Sequence, residues 1–216
     1  MSTERDDATG REAPGTGAGE IRTSDPERIR ALAHPLRLAI IDVVQDLGEA
    51  TASECAERLG QTVANCSFHL RVLERAGFVE RAAPRGREKP WRSASRRRYL
   101  DPDPESEASV LAIAELVGAT MAHIATRYTN YLREHAPHDD AAWTDATLLD
   151  QATLWATAEE ALAVRKALTA LADPFRARNH DPSLRPAGAR RVRLATLIHP
   201  ESPEPAESPE SPESTE

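Results

Sequence analysis

The sequence has few of the features that mark secreted, membrane-bound or disulfide-bonded proteins. Only two cysteines occur in 216 residues, Cys55 and Cys66, and both lie at positions typical of a core. We therefore expect two small buried hydrophobes in a reducing cytosol. The sequence contains no run of about 18 apolar residues, which a membrane span would need. Residues 1–24 contain no apolar run suited to a signal peptide. These absences predict a cytoplasmic protein without a membrane partner.

The sequence also lacks the side-chain combinations of common enzymes. It has no glycine-rich phosphate loop and no paired-cysteine zinc pattern. Ser67 and His69 lie two residues apart on one predicted helix and face different sides, so they form no nucleophile–base pair. We therefore predict a protein that is not an enzyme and that binds no cofactor.

The segment from Thr51 to Gly77 predicts two capped helices. Thr51-Ala52-Ser53-Glu54 is a capping box, in which the hydroxyl accepts from a first-turn amide and the carboxylate reaches back to the cap. The short helix that follows ends at Gly60, because a residue without a Cβ takes the left-handed conformation easily. Thr62 is a second N-cap and Gly77 a second stop. Two helices three residues apart predict a helix-turn-helix, a module that sits in a DNA groove.

The second helix of this pair has an apolar face and an opposite, mixed face. Successive residues turn by about 100°, so the core seam comprises Cys66, Leu70, Leu73 and Gly77. On the opposite face a thymine methyl could cover Phe68, while Asn65 fits an adenine edge and Arg71 fits guanine or a phosphate. Packing of Phe68 on the wing or a neighbouring helix is the alternative, and His69 is expected to be a hydrogen-bonded boundary residue. The candidate base-contacting residues are Ala64, Asn65, Ser67, Phe68 and Arg71.

A basic hairpin, the wing, follows this helix. Residues 78–81 and 88–93 predict two short strands around the turn Pro84-Arg85-Gly86-Arg87. Between residues 61 and 100, ten cations and three anions give a formal charge of +7, in a chain whose net charge is −8. Such a local patch is the electrostatic footprint of nucleic-acid binding, and a solvated arginine-rich loop is the alternative. The candidate phosphate-contacting residues are Thr62, Arg75, Arg85, Arg87, Lys89 and Arg92.

Residues 28–99 resemble the ArsR-type winged-helix transcription regulators. The resemblance is carried by Leu32–Ile40, Ser53–Gly60 and Ser67–Val79, which occur in order at the spacing of that family. Gly86–Arg92 is similar to the wing of a subgroup with a larger C-terminal region. The resemblance implies a cytoplasmic homodimer that binds a short palindromic operator, usually as a repressor.

The same resemblance allows the metal sites of the family to be checked. The ligand places of the first family site fall on Ala56 and Arg58, which cannot coordinate a soft metal. The second family site lies on the dimer helix and uses Asp and His. Its candidates here are His123, His135, His138, Asp139 and Asp140, with Pro137 interrupting the histidine pair near a helix end. We therefore predict no metal site.

Residues 105–136 predict one long helix with an apolar seam. A helix of this length beside a small winged domain suits a two-fold dimer, whose symmetry would place the two recognition helices roughly 34 Å apart. The alternative is a helix that packs only on its own domain. The candidate dimer residues step by three and four and are Val110, Ile113, Val117, Met121, Ile124 and Tyr128.

Residues 143–198 predict a small α/β region. Residues 147–156 suggest a strand, Thr157-Ala158-Glu159-Glu160 is a capping box that begins a helix, and residues 190–198 alternate like a second strand. This order resembles the C-terminal region of the larger family members. A small-molecule effector could bind there, with Trp143, Trp155 and Tyr128 as candidate wall residues, although aromatic residues at such spacing are more often core.

Both ends of the chain are depleted in apolar residues. Residues 1–24 are small and polar, while residues 199–216 repeat Glu-Ser-Pro and contain six glutamates. Such segments bury too little apolar surface to offset their chain entropy, so we expect both to be disordered. The tail is interpreted as a solubilising segment, and electrostatic competition with DNA for the wing is the alternative.

Together these patterns predict a mainly α protein with small β elements (α+β). It comprises a winged helix-turn-helix at residues 25–100, a long dimerisation helix at 105–136 and a small α/β appendage at 143–198. The predicted function is transcription regulation by a homodimeric repressor that binds double-stranded DNA. The alternative is a winged-helix protein-interaction module with little sequence-specific DNA binding.

Overall fold

The computed structural model describes residues 20–95, 97–175, 177–178 and 181–201. Contacts divide the chain into two units, the first ending at Thr147 and the second beginning at Leu148. The first unit contains, in chain order, β1 (Glu20–Thr23), α1 (Pro26–Arg30), α2 (Pro35–Leu47), β2 (Glu49–Ala50), α3 (Ala52–Leu59), α4 (Val63–Arg75), β3 (Val79–Arg81), β4 (Trp91–Ser93), β5 (Arg97–Leu100), α5 (Glu107–Glu134) and α6 (Ala141–Asp145). The second unit contains α7 (Ala158–Ala170).

The helix pair α3–α4 is capped as the sequence predicts. The Thr51 hydroxyl accepts a hydrogen bond from the Glu54 amide at 3.2 Å, and the Glu54 carboxylate accepts one from the Thr51 amide at 2.6 Å. α3 ends at Gly60, whose φ of +62° is left-handed and favours glycine. The Thr62 hydroxyl then accepts from the Asn65 amide at 3.2 Å and begins α4. Local residues therefore specify the turn between the two helices.

One hydrophobic cluster holds the first unit together. Its largest fully buried side chains include Ile29, Leu32, Ile40, Ile41, Leu70, Leu73 and Phe78. Each side chain of this size contributes about 1.5–3 kcal/mol by leaving water. Cys66, Leu70 and Leu73 of the predicted α4 seam are fully buried, and so is Cys55. The predicted inner face of the helix pair is therefore confirmed at these positions.

The wing belongs to a three-stranded antiparallel sheet in the order β2-β4-β3. On the central strand, Trp91 pairs with Ala50 on one side and with Arg81 on the other. The strands predicted at residues 78–81 and 88–93 form, but they are shorter than predicted. No sequence pattern predicts β2, because two residues are too few for an alternation of apolar and polar side chains.

β1 corrects the expectation that residues 1–24 are disordered. It pairs in parallel with β5, whereas residues 1–19 lie outside the described residues. Arg22 anchors the strand, because its guanidinium lies 2.6 Å from the Asp101 carboxylate and 4.7 Å from the centre of the Tyr99 ring. The strand therefore depends on a distant partner strand rather than on its own composition.

α5 packs on the core of the first unit through its N-terminal half. Its buried residues are Ser109, Ala112 and Leu116. The predicted apolar seam lies on a different face of the helix, where Val110 and Met121 are exposed. The other four members of the seam are half-buried, and they are Ile113, Val117, Ile124 and Tyr128.

α5 also corrects the expectation that no segment is apolar enough to span a membrane. The stretch Glu107–His138 meets that criterion by its length and composition, and most of it is not buried. Core helices of soluble proteins meet the same criterion, so the finding assigns no membrane role by itself.

The second unit differs from the predicted α/β appendage. α7 begins at the predicted capping box, with Thr157 and Glu160 hydrogen-bonded to each other's backbone amides. The strands predicted at residues 147–156 and 190–198 are wrong, because both stretches lack regular secondary structure. A strand needs a paired neighbour to satisfy its backbone groups, and the alternating apolar residues supply none. Trp155 is fully exposed.

Candidate nucleic-acid interface

α4 presents a mixed apolar and basic face to solvent. Phe68 is 57% exposed, which is a large fraction for an aromatic side chain on a helix whose opposite face is fully buried. Its ring meets the His69 ring edge-on, with the centroids 5.2 Å apart. Packing of Phe68 under the wing is therefore not observed. The exposed phenyl ring, Arg71, Glu74 and Arg75 line a shallow groove on this surface.

Two polar side chains on this face are oriented by hydrogen bonds along the helix. Arg71 donates from Nε to the Ser67 carbonyl at 3.2 Å and from Nη2 to the Ser67 Oγ at 3.1 Å. Asn65 donates from Nδ2 to the Gln61 side chain at 3.0 Å. These exposed hydrogen bonds exchange readily for bonds to a ligand, because water competes for them in the free protein. The face therefore carries hydrogen-bonding groups on either side of Phe68.

The cations of the wing and of the last turn of α4 fall into two groups. Three are paired with glutamates: Arg81 with Glu74 at 3.0 Å, Arg85 with Glu54 at 2.8 Å, and Arg92 with Glu80 at 2.7 Å. Arg81 also lies over the Trp91 ring, 3.6 Å from its centre. The second group is exposed and has no ion pair among the residues that the structure describes, and it comprises Arg75, Arg87 and Lys89.

A pair of histidines lies behind the candidate recognition helix. His34 caps α2 by accepting a hydrogen bond at Nδ1 from the Leu36 amide, at 3.1 Å. His69 is buried rather than at a hydrogen-bonded boundary, and its Nδ1 has no partner within the described residues. Burial lowers the pKa of both histidines, and the charge of Arg37 lowers them further. Both imidazoles are therefore favoured in their neutral form.

An ion-pair cluster joins α5 to α2. Asp42 accepts from His123 Nε2 at 2.8 Å and from Arg127 Nη1 at 3.0 Å. The carboxylate is largely shielded from solvent, which strengthens these charge-assisted hydrogen bonds. The sequence suggested His123 only as a candidate metal ligand. No sequence pattern identifies Asp42 as the partner of His123 and Arg127, because it is a single charged residue in a largely apolar helix.

The cysteines and histidines that the structure describes do not assemble a metal site. Within the described ranges, no group of three or more histidine, cysteine or acidic side chains is close enough to hold an ion. Cys55 and Cys66 are buried and free, and burial raises the pKa of the Cys55 thiol to about 12. A thiol with such a pKa is a packing residue at neutral pH rather than a ligand or nucleophile.

One family model and several solved structures match part of the chain. Residues 32–82 match the family model described as a helix-turn-helix domain. Similar solved structures include reduced HlyU from Vibrio cholerae, with 22% identity over 41% of this chain and 80% of that chain, at a TM-score of 0.29. Another is Rv0081 from M. tuberculosis, with 27% identity over 46% of this chain and 90% of that chain, at a TM-score of 0.30. No curated protein sequence matches the chain.

The matched residues begin after α1 and span all of α2 to α4 and the first wing strand, β3. Together with the capped turn at Gly60 and the sheet that carries Trp91, they define a winged helix-turn-helix protein. This is the DNA-binding class of fold found in transcription regulators.

Proposed function

We propose that the chain is an ArsR-type transcription regulator that acts as a homodimeric repressor at a palindromic operator. The observation that carries this proposal is the exposed face of α4. An aromatic side chain, Phe68, stands there between the hydrogen-bonding groups of Asn65 and Arg71. The wing, in which Arg87 and Lys89 have no ion pair among the described residues, follows the helix directly in the chain.

Residues of the α4 face would contact base edges in the major groove. Phe68 and the methyl group of Ala64 suit apolar contact with thymine methyls. Arg71 suits bidentate hydrogen bonding to guanine, while Asn65 suits adenine and Ser67 suits either. Because these side chains already face solvent, binding requires no rearrangement of the core.

Phosphate contacts would come from the start of α4 and from the wing. Thr62 lies at the helix N-terminus, and Arg75, Arg87 and Lys89 are exposed without ion pairs among the described residues. Each phosphate that a cation neutralises releases counterions, so affinity should fall steeply with salt. The remaining candidates, Arg85 and Arg92, are already paired with glutamates in the free protein.

The outer face of α5 would form the dimer interface. Val110 is 44% exposed and Met121 is 40% exposed, and the half-buried residues between them continue the same apolar stripe. A second copy of α5 presents the identical stripe, so a two-fold contact would cover both.

Selection of duplexes from a random pool by the purified full-length chain tests the proposal. Enrichment of a palindrome with half-sites one helical turn apart is the expected result. Arg71→Ala should then relax the base preference, whereas Arg87→Ala should weaken all duplexes alike and reduce the dependence of affinity on salt. Weak binding with no enriched sequence would refute the repressor proposal and favour a winged-helix protein-interaction module.

A further inference from the structure

Arg85, at the tip of the wing, is held by two glutamates from other elements. Its Nη2 lies 2.8 Å from Glu54 Oε2 and 3.1 Å from Glu54 Oε1, and its Nε lies 3.5 Å from Glu49 Oε1. Glu54 belongs to the first turn of α3, while Glu49 belongs to β2. The side chain therefore ties the wing to the beginning of the helix-turn-helix.

The Glu54 carboxylate serves two purposes at once. Its Oε2 accepts from the Thr51 amide at 2.6 Å and from the Thr51 hydroxyl at 3.0 Å, in addition to the Arg85 guanidinium. The hydrogen bond from the Thr51 amide is the main reason that the pKa of Glu54 is lowered, and Arg85 lowers it further. The capping box of α3 and the anchor of the wing thus share one oxygen atom.

The backbone of the wing turn is fixed beside this anchor. The amide of Arg85 donates to the Glu88 carbonyl and the amide of Glu88 donates to the Arg85 carbonyl, both at 3.1 Å. Gly86 lies between them with a φ of +64°, the left-handed conformation that such a tight turn needs. Arg87 follows in the turn and is exposed.

DNA would gain little by capturing Arg85. A phosphate that took the guanidinium would leave Glu49 and Glu54 without their cation, next to a polyanion. Repulsion between these carboxylates and the DNA backbone would offset the new contact. Arg87 and Lys89 carry no such cost, because the described residues offer them no ion pair.

We propose that Arg85 is a positioning residue, which neutralises Glu49 and Glu54 and holds the wing against α3 while Arg87 and Lys89 contact phosphates. This inference rests on the proposed DNA-binding function. It separates two arginines that lie two positions apart in one hairpin and that sequence alone does not distinguish. Arg85 acts through the glutamates, so its effect on DNA depends on their charge.

A double-mutant cycle tests this role. Glu54→Gln removes the charge but keeps a side chain that can complete a capping box. Arg85→Met should weaken DNA binding by about two- to fivefold, the range of an exposed ion pair. Adding Glu54→Gln should restore most of that loss. The salt slope is the magnitude of the change in log binding constant per unit of log salt concentration. For Arg85→Met it should stay within about 0.3 of the parent value, whereas Arg87→Met should lower it by about 0.9, the value for one phosphate contact.

The matched control is the cycle of Arg87→Met with Glu54→Gln, which should be additive. A fall of about 0.9 in the salt slope of Arg85→Met, without rescue by Glu54→Gln, would show a direct phosphate contact and overturn the inference. Hydrogen exchange of the Arg85 and Glu88 amides in the free protein gives a readout independent of DNA. Arg85→Met should accelerate the exchange of these two amides, whereas Arg87→Met should not. Equal exchange rates in the two variants would also overturn the inference.

Failure of the proposed DNA-binding function gives a different set of results from failure of the positioning role alone. If the parent protein binds no duplex, the proposed function fails and the role of Arg85 toward DNA fails with it. Faster hydrogen exchange at the backbone amides of residues 85 and 88 in Arg85→Met would still show that the Arg85 side chain stabilises the wing turn in the free protein. Loss of rescue in a protein that does bind DNA would instead leave the regulator intact and remove only the positioning role.

Discussion

His34 and His69 lie ring against ring, with their centroids 4.6 Å apart, although one begins α2 and the other lies within α4. His34 uses Nδ1 as the acceptor that caps α2, which requires this nitrogen to be unprotonated. His69 is the neighbour of Phe68 and touches its ring. The pair therefore connects the beginning of α2 to the candidate DNA-contacting face of α4.

Stability of the domain should fall on mild acidification because of this pair. Burial is the main cause that lowers the pKa of both His34 and His69, so the unfolded chain binds protons more readily than the folded one. The free energy of unfolding should be highest above pH 6.5, the ordinary histidine value, and should decrease as the pH falls from there through the lowered pKa values. Urea unfolding at a series of pH values measures this.

A variant that cannot titrate at these positions isolates their contribution. His34→Asn keeps an N-cap acceptor, and combined with His69→Gln it removes both imidazoles. The double variant should show a flatter dependence of stability on pH between about 7.5 and 5. His199→Gln, at an exposed histidine of the second unit, should leave the dependence unchanged. An equally steep curve in the double variant would mean that other groups cause the acid sensitivity.

The two capping boxes should respond differently to the same substitution. Thr51→Ala removes the cap of α3, a helix that buries Cys55 and Ala56, and should cost about 1 kcal/mol of unfolding free energy. Thr157→Ala removes an identical cap from α7, none of whose residues is buried. Helicity there depends on local terms, so the main unfolding transition should not move. Thermal unfolding followed by circular dichroism distinguishes the two, and equal shifts would contradict the expectation.

Local signals explain which parts of this fold could be predicted from sequence. The capping box at Thr51, the stop at Gly60 and the cap at Thr62 each act within four residues, so their patterns identify the helix-turn-helix directly. The same locality made the exposure of Phe68 predictable, since helical periodicity alone separates it from the buried seam formed by Cys66 and its neighbours.

Pairings between distant segments could not be predicted in the same way. β1 forms only because β5 lies beside it, and the alternation in residues 190–198 gave no strand because no neighbour pairs with it. The ion pairs of Arg85 join residues far apart in the chain, so Arg85 and Arg87 have the same appearance in sequence. Composition locates the basic patch, but only three-dimensional contacts show which of its cations are already occupied.

Both cysteines should resist thiol reagents in the folded protein. Cys55 and Cys66 are fully buried, and burial raises the pKa of Cys55 to about 12 and raises that of Cys66 as well. The thiolate is the reactive species, so labelling by a disulfide reagent at pH 8 should be slow until the chain unfolds. The expected result is two equivalents of rapid reaction in denaturant and almost none without it. Rapid native labelling of either thiol would show that α3 and α4 open readily.

The apolar stripe on α5 makes the dimer testable by one added charge. Met121 is 40% exposed and lies in the seam that a second copy would cover, so Met121→Arg would bury an unpaired cation in that interface. Sedimentation velocity should show a monomer for this variant and a dimer for the parent. Ala122→Arg is the matched control, because Ala122 is also exposed but lies about 100° further round the helix, off the seam. Dissociation by both variants, or by neither, would place the dimer contact on a different surface.

Monomeric Met121→Arg should also lose the preference for paired half-sites while retaining weak binding to one half-site, since each chain keeps its own α4 and wing.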